Sequence, residues 1–203
     1  MAMADLDTVQ AALKPLETIL TRSFLRAWKD WQSAGLSHWR KRGRANYVWE
    51  QATHYAVLDV EQIPAVRIIV RNESYHFLVN DVVSFRLKKA DDAGFTRNYP
   101  TQEALAFHDP QLPLTGVPAE QRVEVTYSLD RSETDISDIA VVAREGNCIA
   151  WSYSLTHSRA VASLPSSPTS RPSAANGKST PTGLVRPKGA KHKPDTAGDA
   201  GER

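Results

Sequence analysis

The chain of 203 residues contains a single cysteine, Cys148, which excludes an internal disulfide and suits a reducing cytoplasm. Because Cys148 lies in an apolar run, we expect it to be buried in a strand. No apolar run approaches the roughly 18 residues that a membrane-spanning helix needs. The first 20 residues also carry four charged side chains, so we expect a cytoplasmic protein without a membrane or export segment.

Common catalytic motifs are also missing, since no Gly-x-Ser-x-Gly, His-Glu-x-x-His or Cys-x-x-Cys pattern occurs. The sequence therefore predicts no catalytic residue, no metal site and no cofactor. It favours a protein without enzymatic activity.

Aromatic residues are missing from residues 158–203, which hold six of the twelve prolines. Such a segment cannot bury enough apolar surface to offset its chain entropy, so we predict a disordered Pro/Ser/Gly-rich tail. The tail carries eight basic and three acidic side chains, whereas residues 1–157 carry 17 basic and 20 acidic ones. We expect the tail to contact polyanions loosely and in a salt-sensitive way.

What is present in residues 5–56 predicts helices. From Leu6 to Leu20 the apolar residues recur at alternating spacings of three and four, which places them on one helical stripe. Pro15 predicts either a kink or a first short helix that ends at Lys14. Gly35 and Ser37 resemble a helix stop and a new N-cap, so we expect a second helix from His38 to Ala56.

Residues 64–155 contain runs rich in β-branched and aromatic residues, a composition that predicts β-strands. The predicted strands are Val66–Val70, Tyr75–Val79, Val82–Lys88, Arg122–Leu129, Ile136–Arg144 and Cys148–Ser154. Turn residues at Asn72-Glu73 and Asn80-Asp81 predict an antiparallel meander for the first three.

Between the two groups of strands, Thr101 is a good N-cap for a short helix over Gln102–Phe107. In the strand Arg122–Leu129 polar and apolar residues alternate, which predicts one buried face and one solvated face. The fold class is therefore α+β, with two N-terminal helices, a mostly antiparallel sheet of about six strands and one inserted helix, all within residues 1–157.

The first candidate site is a basic face of the helices. Aromatic residues occupy one side of the first long helix, and basic residues occupy the opposite side and the start of the next helix. Four cations in one first turn oppose the helix dipole, a conflict that a phosphate would relieve. The predicted nucleic-acid-binding residues are Arg22, Arg26, Lys29, Arg40, Lys41, Arg42 and Arg44. The alternative interpretation is that the aromatics form core and the cations solvate the outer face.

The second candidate site is the loop after the third strand. Cations at the strand end are followed by a predicted helix N-terminus, a combination that favours an anion-binding loop. Its residues are Arg86, Lys88, Lys89, Arg97, Asn98, Tyr99 and Thr101. The alternative interpretation is a polar, capped loop without a ligand.

Four segments of the chain carry a resemblance: Phe85–Lys89, Gly94–Thr101, Arg122–Val125 and Trp151–Ser154. Together, over about residues 44–155, they resemble a family of uncharacterised bacterial proteins. The resemblance implies a gene that lies near helix-turn-helix regulators with a metallopeptidase-like partner, as in mobile elements. It implies no catalytic residues.

Three functions follow as hypotheses. The first is a non-enzymatic regulatory or accessory protein of a bacterial mobile element, which binds a protein partner and also DNA or RNA through the basic helices and tail. The second is an antitoxin-like protein-binding module that uses exposed tryptophans as anchors.

The third hypothesis is a Mg²⁺-dependent nuclease, active or degenerate, because the order helix, three strands, helix, strand resembles that of restriction-endonuclease-like enzymes. Those enzymes place carboxylates beside a lysine of the third strand. Here Asp81 is available as one acid, but Arg86 stands where the acid before Lys88 is expected.

Overall fold

The computed structural model of the chain describes residues 3–96, 102–109, 112 and 121–156, without the side chain of Glu103. These residues form an α+β fold in which three helices precede a six-stranded sheet and a short fourth helix is inserted into it. The elements are α1 (Leu6–Leu13), α2 (Glu17–Ser33), α3 (Lys41–Val60), β1 (Val66–Arg71), β2 (Ser74–Val79), β3 (Val83–Lys89), α4 (Gln102–His108), β4 (Gln121–Leu129), β5 (Ile136–Glu145) and β6 (Cys148–Ser154).

The strands lie in sequence order from β1 to β6, and every neighbouring pair is antiparallel except β3 and β4, which are parallel. The sheet thus consists of two three-stranded meanders that meet along one parallel pair. The connection between β3 and β4 contains α4, as a parallel pair requires a crossover.

Both tight turns of the first meander have the predicted residues. Asn72 and Glu73 have φ of 43° and 62°, and Asn80 and Asp81 have φ of 50° and 59°. Two successive residues with positive φ match the twist of a tight hairpin turn, and asparagine tolerates this conformation at the first position of each. The first turn has two residues between the paired Arg71 and Ser74, and the second has three between Val79 and Val83.

The helices are confirmed in type but differ in their limits. A 3₁₀ turn, Lys14–Leu16, holds Pro15 and separates α1 from α2, so the short first helix is the correct alternative. The predicted start of the next helix at His38 with Ser37 as its N-cap is wrong. Residues 37 and 38 form a turn, and Arg40 is the N-cap without a side-chain hydrogen bond.

The main core lies between one face of the sheet and helices α1, α2 and α3. Its largest fully buried side chains include Phe24 and Leu20 of α2, Phe77 of β2 and Tyr127 of β4. The α3 helix continues past the predicted end at Ala56 because Val60 is also fully buried in this core. Burial of such side chains supplies about 1.5–3 kcal/mol each and fixes the orientation of the sheet.

The opposite face of the sheet carries polar side chains, and the prediction that this face of β4 is solvated is wrong. Arg122, Glu124 and Thr126 are 8%, 1% and 3% exposed. They are covered because α4 and the turn after β3 fold over this face, with Phe107 packed on Leu78. A strand with both faces buried can still alternate in polarity when the polar side chains bond to one another.

The exposure of Cys148 and the length of the helices bear on two further expectations. Cys148 is exposed, so its predicted burial is wrong. It is the first residue of β6 and lies next to the exposed hairpin turn that joins β5 to β6. Within the residues that the structure describes, no helix is long and apolar enough to cross a membrane.

Candidate functional site

The two arginines of α2 contact groups on α3. Arg22 forms an ion pair with Asp59 at 2.9 Å, and the Arg26 guanidinium lies 3.9 Å from the centroid of the Tyr55 ring. The Tyr55 hydroxyl donates a hydrogen bond to Asp30, and that bond raises the pKa of Tyr55. Lys29 is exposed. These contacts use part of the predicted basic face to join α2 to α3.

The start of α3 divides the remaining predicted cations into two groups. Lys41 and Arg44 form ion pairs with Glu133, at 2.8 and 2.6 Å, and the Arg44 side chain is only 16% exposed. Arg40 and Arg42 are exposed. Within the described part of the chain no ion pair is found for either. Arg44 therefore ties α3 to the hairpin between β4 and β5, whereas Arg40 and Arg42 face solvent.

Trp39 lies immediately before Arg40 and is 44% exposed. Its ring centroid lies 6.1 Å from that of Trp31, and Trp31 in turn lies 5.5 Å from Tyr47 in an edge contact. Gly43 leaves space for the indole, because a Cβ there would lie 2.8 Å from Cε3 of Trp39. We call Trp39, Arg40, Lys41 and Arg42 the basic turn. It combines a braced aromatic ring with three cations.

The second face of the sheet contains a buried network of charged and polar side chains. Arg86 of β3 donates to Oε1 of Glu124 on β4 through both Nε, at 3.0 Å, and Nη2, at 2.8 Å. Thr96 donates from its hydroxyl to the other carboxylate oxygen at 2.7 Å. The Arg86 guanidinium also lies 3.9 Å from the Phe107 ring centroid. We call Arg86, Thr96, His108, Glu124 and Arg144 the sheet-face network.

His108, the last residue of α4, completes this network. Its Nε2 lies 3.0 Å from Nη2 of Arg86 and 3.4 Å from Nη1 of Arg144. A guanidinium can only donate, so Nε2 must accept and the neutral ring carries its proton on Nδ1. Burial lowers the pKa of His108 to about 4, consistent with a neutral ring at pH 7.

The network concentrates positive charge around one carboxylate. Burial is the largest single effect on Glu124 and would raise its pKa. The charge and hydrogen bonds of Arg86, with His108 and the hydrogen bond from Thr96, together outweigh burial, so the pKa of Glu124 lies below its usual range and the carboxylate is ionised. Burial, followed by repulsion from Arg86, lowers the pKa of the neighbouring Lys88. Of the predicted anion-binding residues, the structure brings Arg86 and Lys88 to this face. Lys89 ends β3, and Arg97, Asn98, Tyr99 and Thr101 lie outside the described residues.

A cleft of about 270 Å³ opens on the same sheet face, next to the network. The turn of residues 90–94 forms one wall. Thr126 and Ser128, at the carboxyl end of β4, and Val142 of β5 form part of its floor. The cleft therefore lies where the parallel strands β3 and β4 end, which is the common place for ligands in sheets with parallel strands.

The predicted nuclease acid does not reach this region. Asp81 lies in the turn between β2 and β3, pairs with Arg67, and is separated from Lys88 by the length of β3, about 23 Å at 3.3 Å per residue. In the described part of the chain no three His, Cys, Asp or Glu side chains lie together as a metal site would require.

Glu124, His108, Arg144 and Thr96 were missed by sequence reasoning. Glu124 and Arg144 each occupy an outward position in an alternating strand, which usually means solvent. The opposite charges of Arg86 and Glu124 could have indicated an ion pair between their strands. That inference requires the parallel register that places Arg86 opposite Glu124, which the sequence does not show. Comparison of the chain with family models, with curated proteins and with solved structures finds no match.

Proposed function

We propose that the protein is a non-enzymatic accessory protein that binds nucleic acid through the basic turn. The observation that carries this proposal is the exposed charge of Arg40 and Arg42 beside the exposed ring of Trp39. The first turn of α3 contains no acidic residue and its N-cap makes no side-chain hydrogen bond. Cations at a helix start are repelled by the positive end of the helix dipole. Phosphate groups bound there would offset the charge of the cations and of the dipole end.

Two features of the sequence support an accessory role. The basic tail adds positive charge that is suited to non-specific contact with a polyanion. The resemblance to bacterial proteins encoded near helix-turn-helix regulators favours a role in a mobile element, with a protein partner. Neither feature assigns a sequence preference.

The test is binding of labelled DNA and RNA to the full chain at about 50 mM salt, with and without Mg²⁺, where non-specific electrostatic binding is strong. We expect binding without cleavage. Replacement of Arg40 and Arg42 with alanine should weaken affinity for all sequences and flatten its salt dependence by up to about two phosphate contacts. Lys14→Ala is the matched control, because Lys14 is an exposed cation of the helical layer paired with Glu17.

Three outcomes are informative. No affinity for either nucleic acid would refute the proposal and leave the antitoxin-like protein-binding module. Cleavage that requires Mg²⁺ would support the nuclease instead. Affinity that Arg40→Ala/Arg42→Ala leaves unchanged would move the contact away from the basic turn.

A second candidate function is binding of a small anion at the sheet face. The observation in its favour is that three cations lie in one region of this face. Arg86 pairs with Glu124, Arg144 donates to Thr96 of the same network, and burial together with Arg86 lowers the pKa of Lys88. Like charges in a partly buried site repel one another, and an anion bound beside Lys88 would reduce that repulsion. The neighbouring cleft itself is lined by Asp91, Asp92 and Asp138, so the anion is expected at Lys88 and not in the cleft.

This candidate is tested by thermal unfolding with inorganic phosphate and with a small dicarboxylate. A ligand that binds the folded state raises Tm by mass action. We expect the rise in the unaltered protein and its loss in Lys88→Gln, with Lys14→Gln as the control for general salt effects. An equal rise in all three proteins would refute a site at the sheet face.

A further inference from the structure

The position of Trp39 bears on which form of nucleic acid the basic turn fits, an inference that rests on the proposed function. We propose that Trp39 stacks on an unpaired base, so that the basic turn binds single strands in preference to duplexes. Base stacking on an aromatic ring requires an exposed ring and phosphate-binding cations within a nucleotide's reach. Trp39 is 44% exposed and is followed directly by Arg40, Lys41 and Arg42.

The ring is held in place rather than loosely attached to a loop. Trp31 contacts it from the end of α2, and Tyr47 supports Trp31 from the second turn of α3. The backbone N–H of Trp39 donates to the carbonyl of Leu36 at 2.9 Å, which fixes the turn that presents the ring. A prepositioned ring loses little conformational entropy when a base stacks on it.

Gly43 is the second observation that singles out this ring. It lies within the first turn of α3, although glycine is a poorer helix former than alanine. A Cβ at position 43 would lie 2.8 Å from Cε3 and 3.5 Å from Cδ2 of Trp39. The indole therefore lies against the helix backbone at a place where any other residue would displace it.

Charge distinguishes a nucleotide from a protein partner at this surface. An exposed tryptophan that anchors a protein is usually surrounded by a polar rim of mixed charge. Here the ring is followed by three consecutive cations, and the acid that reaches this turn within the described residues, Glu133, pairs with Lys41 and Arg44. Excess positive charge beside an aromatic ring favours an unpaired, phosphate-bearing strand.

The experiment measures fluorescence anisotropy of labelled oligo(dT), oligo(rU) and a duplex of equal length with the full chain. We expect tighter binding of the single strands than of the duplex. Trp39→Ala should weaken single-strand binding about tenfold or more, and Trp39→Phe should restore part of it. The slope of affinity against salt should stay unchanged in both variants, because no cation is removed.

Gly43→Ala is the second variant, because it displaces Trp39 without removing any charge or the ring itself. It should weaken single-strand binding, while thermal unfolding shows that the protein remains folded. Leu58→Ala is the matched control, since Leu58 is 51% exposed on α3 and lies beyond its middle. It should change nothing.

The outcomes separate this inference from the proposed function. Equal binding of duplex and single strand, with Trp39→Ala without effect, would refute stacking and leave electrostatic binding by the basic turn intact. Absence of binding to any nucleic acid would refute both. Trp39→Ala protein that keeps the full preference for single strands over the duplex would overturn the inference and place the preference elsewhere on the surface.

Discussion

The Arg86 guanidinium and the Glu124 carboxylate form a buried ion pair across the only parallel strand pair of the described sheet, with 8% and 1% of their side chains exposed. Removing one member of such a pair leaves an uncompensated buried charge. We therefore expect Glu124→Ala to lower the free energy of unfolding by about 3–5 kcal/mol, measured by urea denaturation.

The double variant Arg86→Met/Glu124→Leu is the control for this prediction. It removes both charges and retains apolar volume, so it should be less destabilised than Glu124→Ala alone. A loss below about 1 kcal/mol in Glu124→Ala would mean that solvent or another group already compensates Arg86.

The sequence predicts the elements that have local signals but not the contacts, such as the Arg86–Glu124 pair, that depend on how the elements pack. Strand and helix positions follow from local signals such as the turn at Asn72-Glu73 and the apolar stripe that ends at Leu20. The sheet-face network depends on the register of β3 against β4 and on the cover provided by α4, neither of which leaves a local pattern. Likewise, Arg42 and Arg44 are alike in sequence, and only the fold places Glu133 beside the second of them.

Protonation of His108 should lower the free energy of unfolding at mildly acidic pH. Burial lowers its pKa in the folded protein to about 4, whereas an unfolded histidine titrates near 6.5, so the unfolded state binds the proton more readily between these values. The contribution of neutral His108 is complete above about pH 6.5 and is lost as the pH falls towards 4. Between pH 7 and 4.5 we expect a loss of about 2 kcal/mol.

His108→Gln is the matched variant, because the amide oxygen still accepts a hydrogen bond but does not titrate. The measurement is chemical denaturation of both proteins at pH 7, 5.5 and 4.5. His76 is fully buried but identical in both proteins, so its contribution cancels in the difference. Parallel pH profiles would contradict a neutral, buried His108.

Arg44 and Arg42 should respond differently to the same substitution. Arg44→Ala removes a mostly buried guanidinium that bonds both the carboxylate and the carbonyl of Glu133, so we expect a loss of about 1–2 kcal/mol. Arg42→Ala should leave stability within about 0.5 kcal/mol or raise it, because an exposed cation at a helix start opposes the dipole.

A double-mutant cycle with Glu133→Ala checks the cause of the Arg44 effect. If the ion pair is responsible, Glu133→Ala should cost little in the Arg44→Ala background. Additive losses would show instead that Arg44 acts through its bond to the backbone carbonyl of Glu133, which Glu133→Ala keeps, or through its packing near Trp28, whose ring centroid lies 5.8 Å from the guanidinium.

The last prediction concerns the tail, which should affect binding and not stability. Residues 158–203 contain no aromatic side chain and no periodic apolar pattern that could pack on the domain. Their removal should therefore leave the free energy of unfolding unchanged within about 1 kcal/mol, as measured by thermal or urea denaturation. The tail carries eight of the chain's 25 basic side chains, so its removal should weaken nucleic-acid binding and reduce the salt dependence. A larger loss of stability would show that the tail docks on the domain, and unchanged affinity would confine binding to the basic turn.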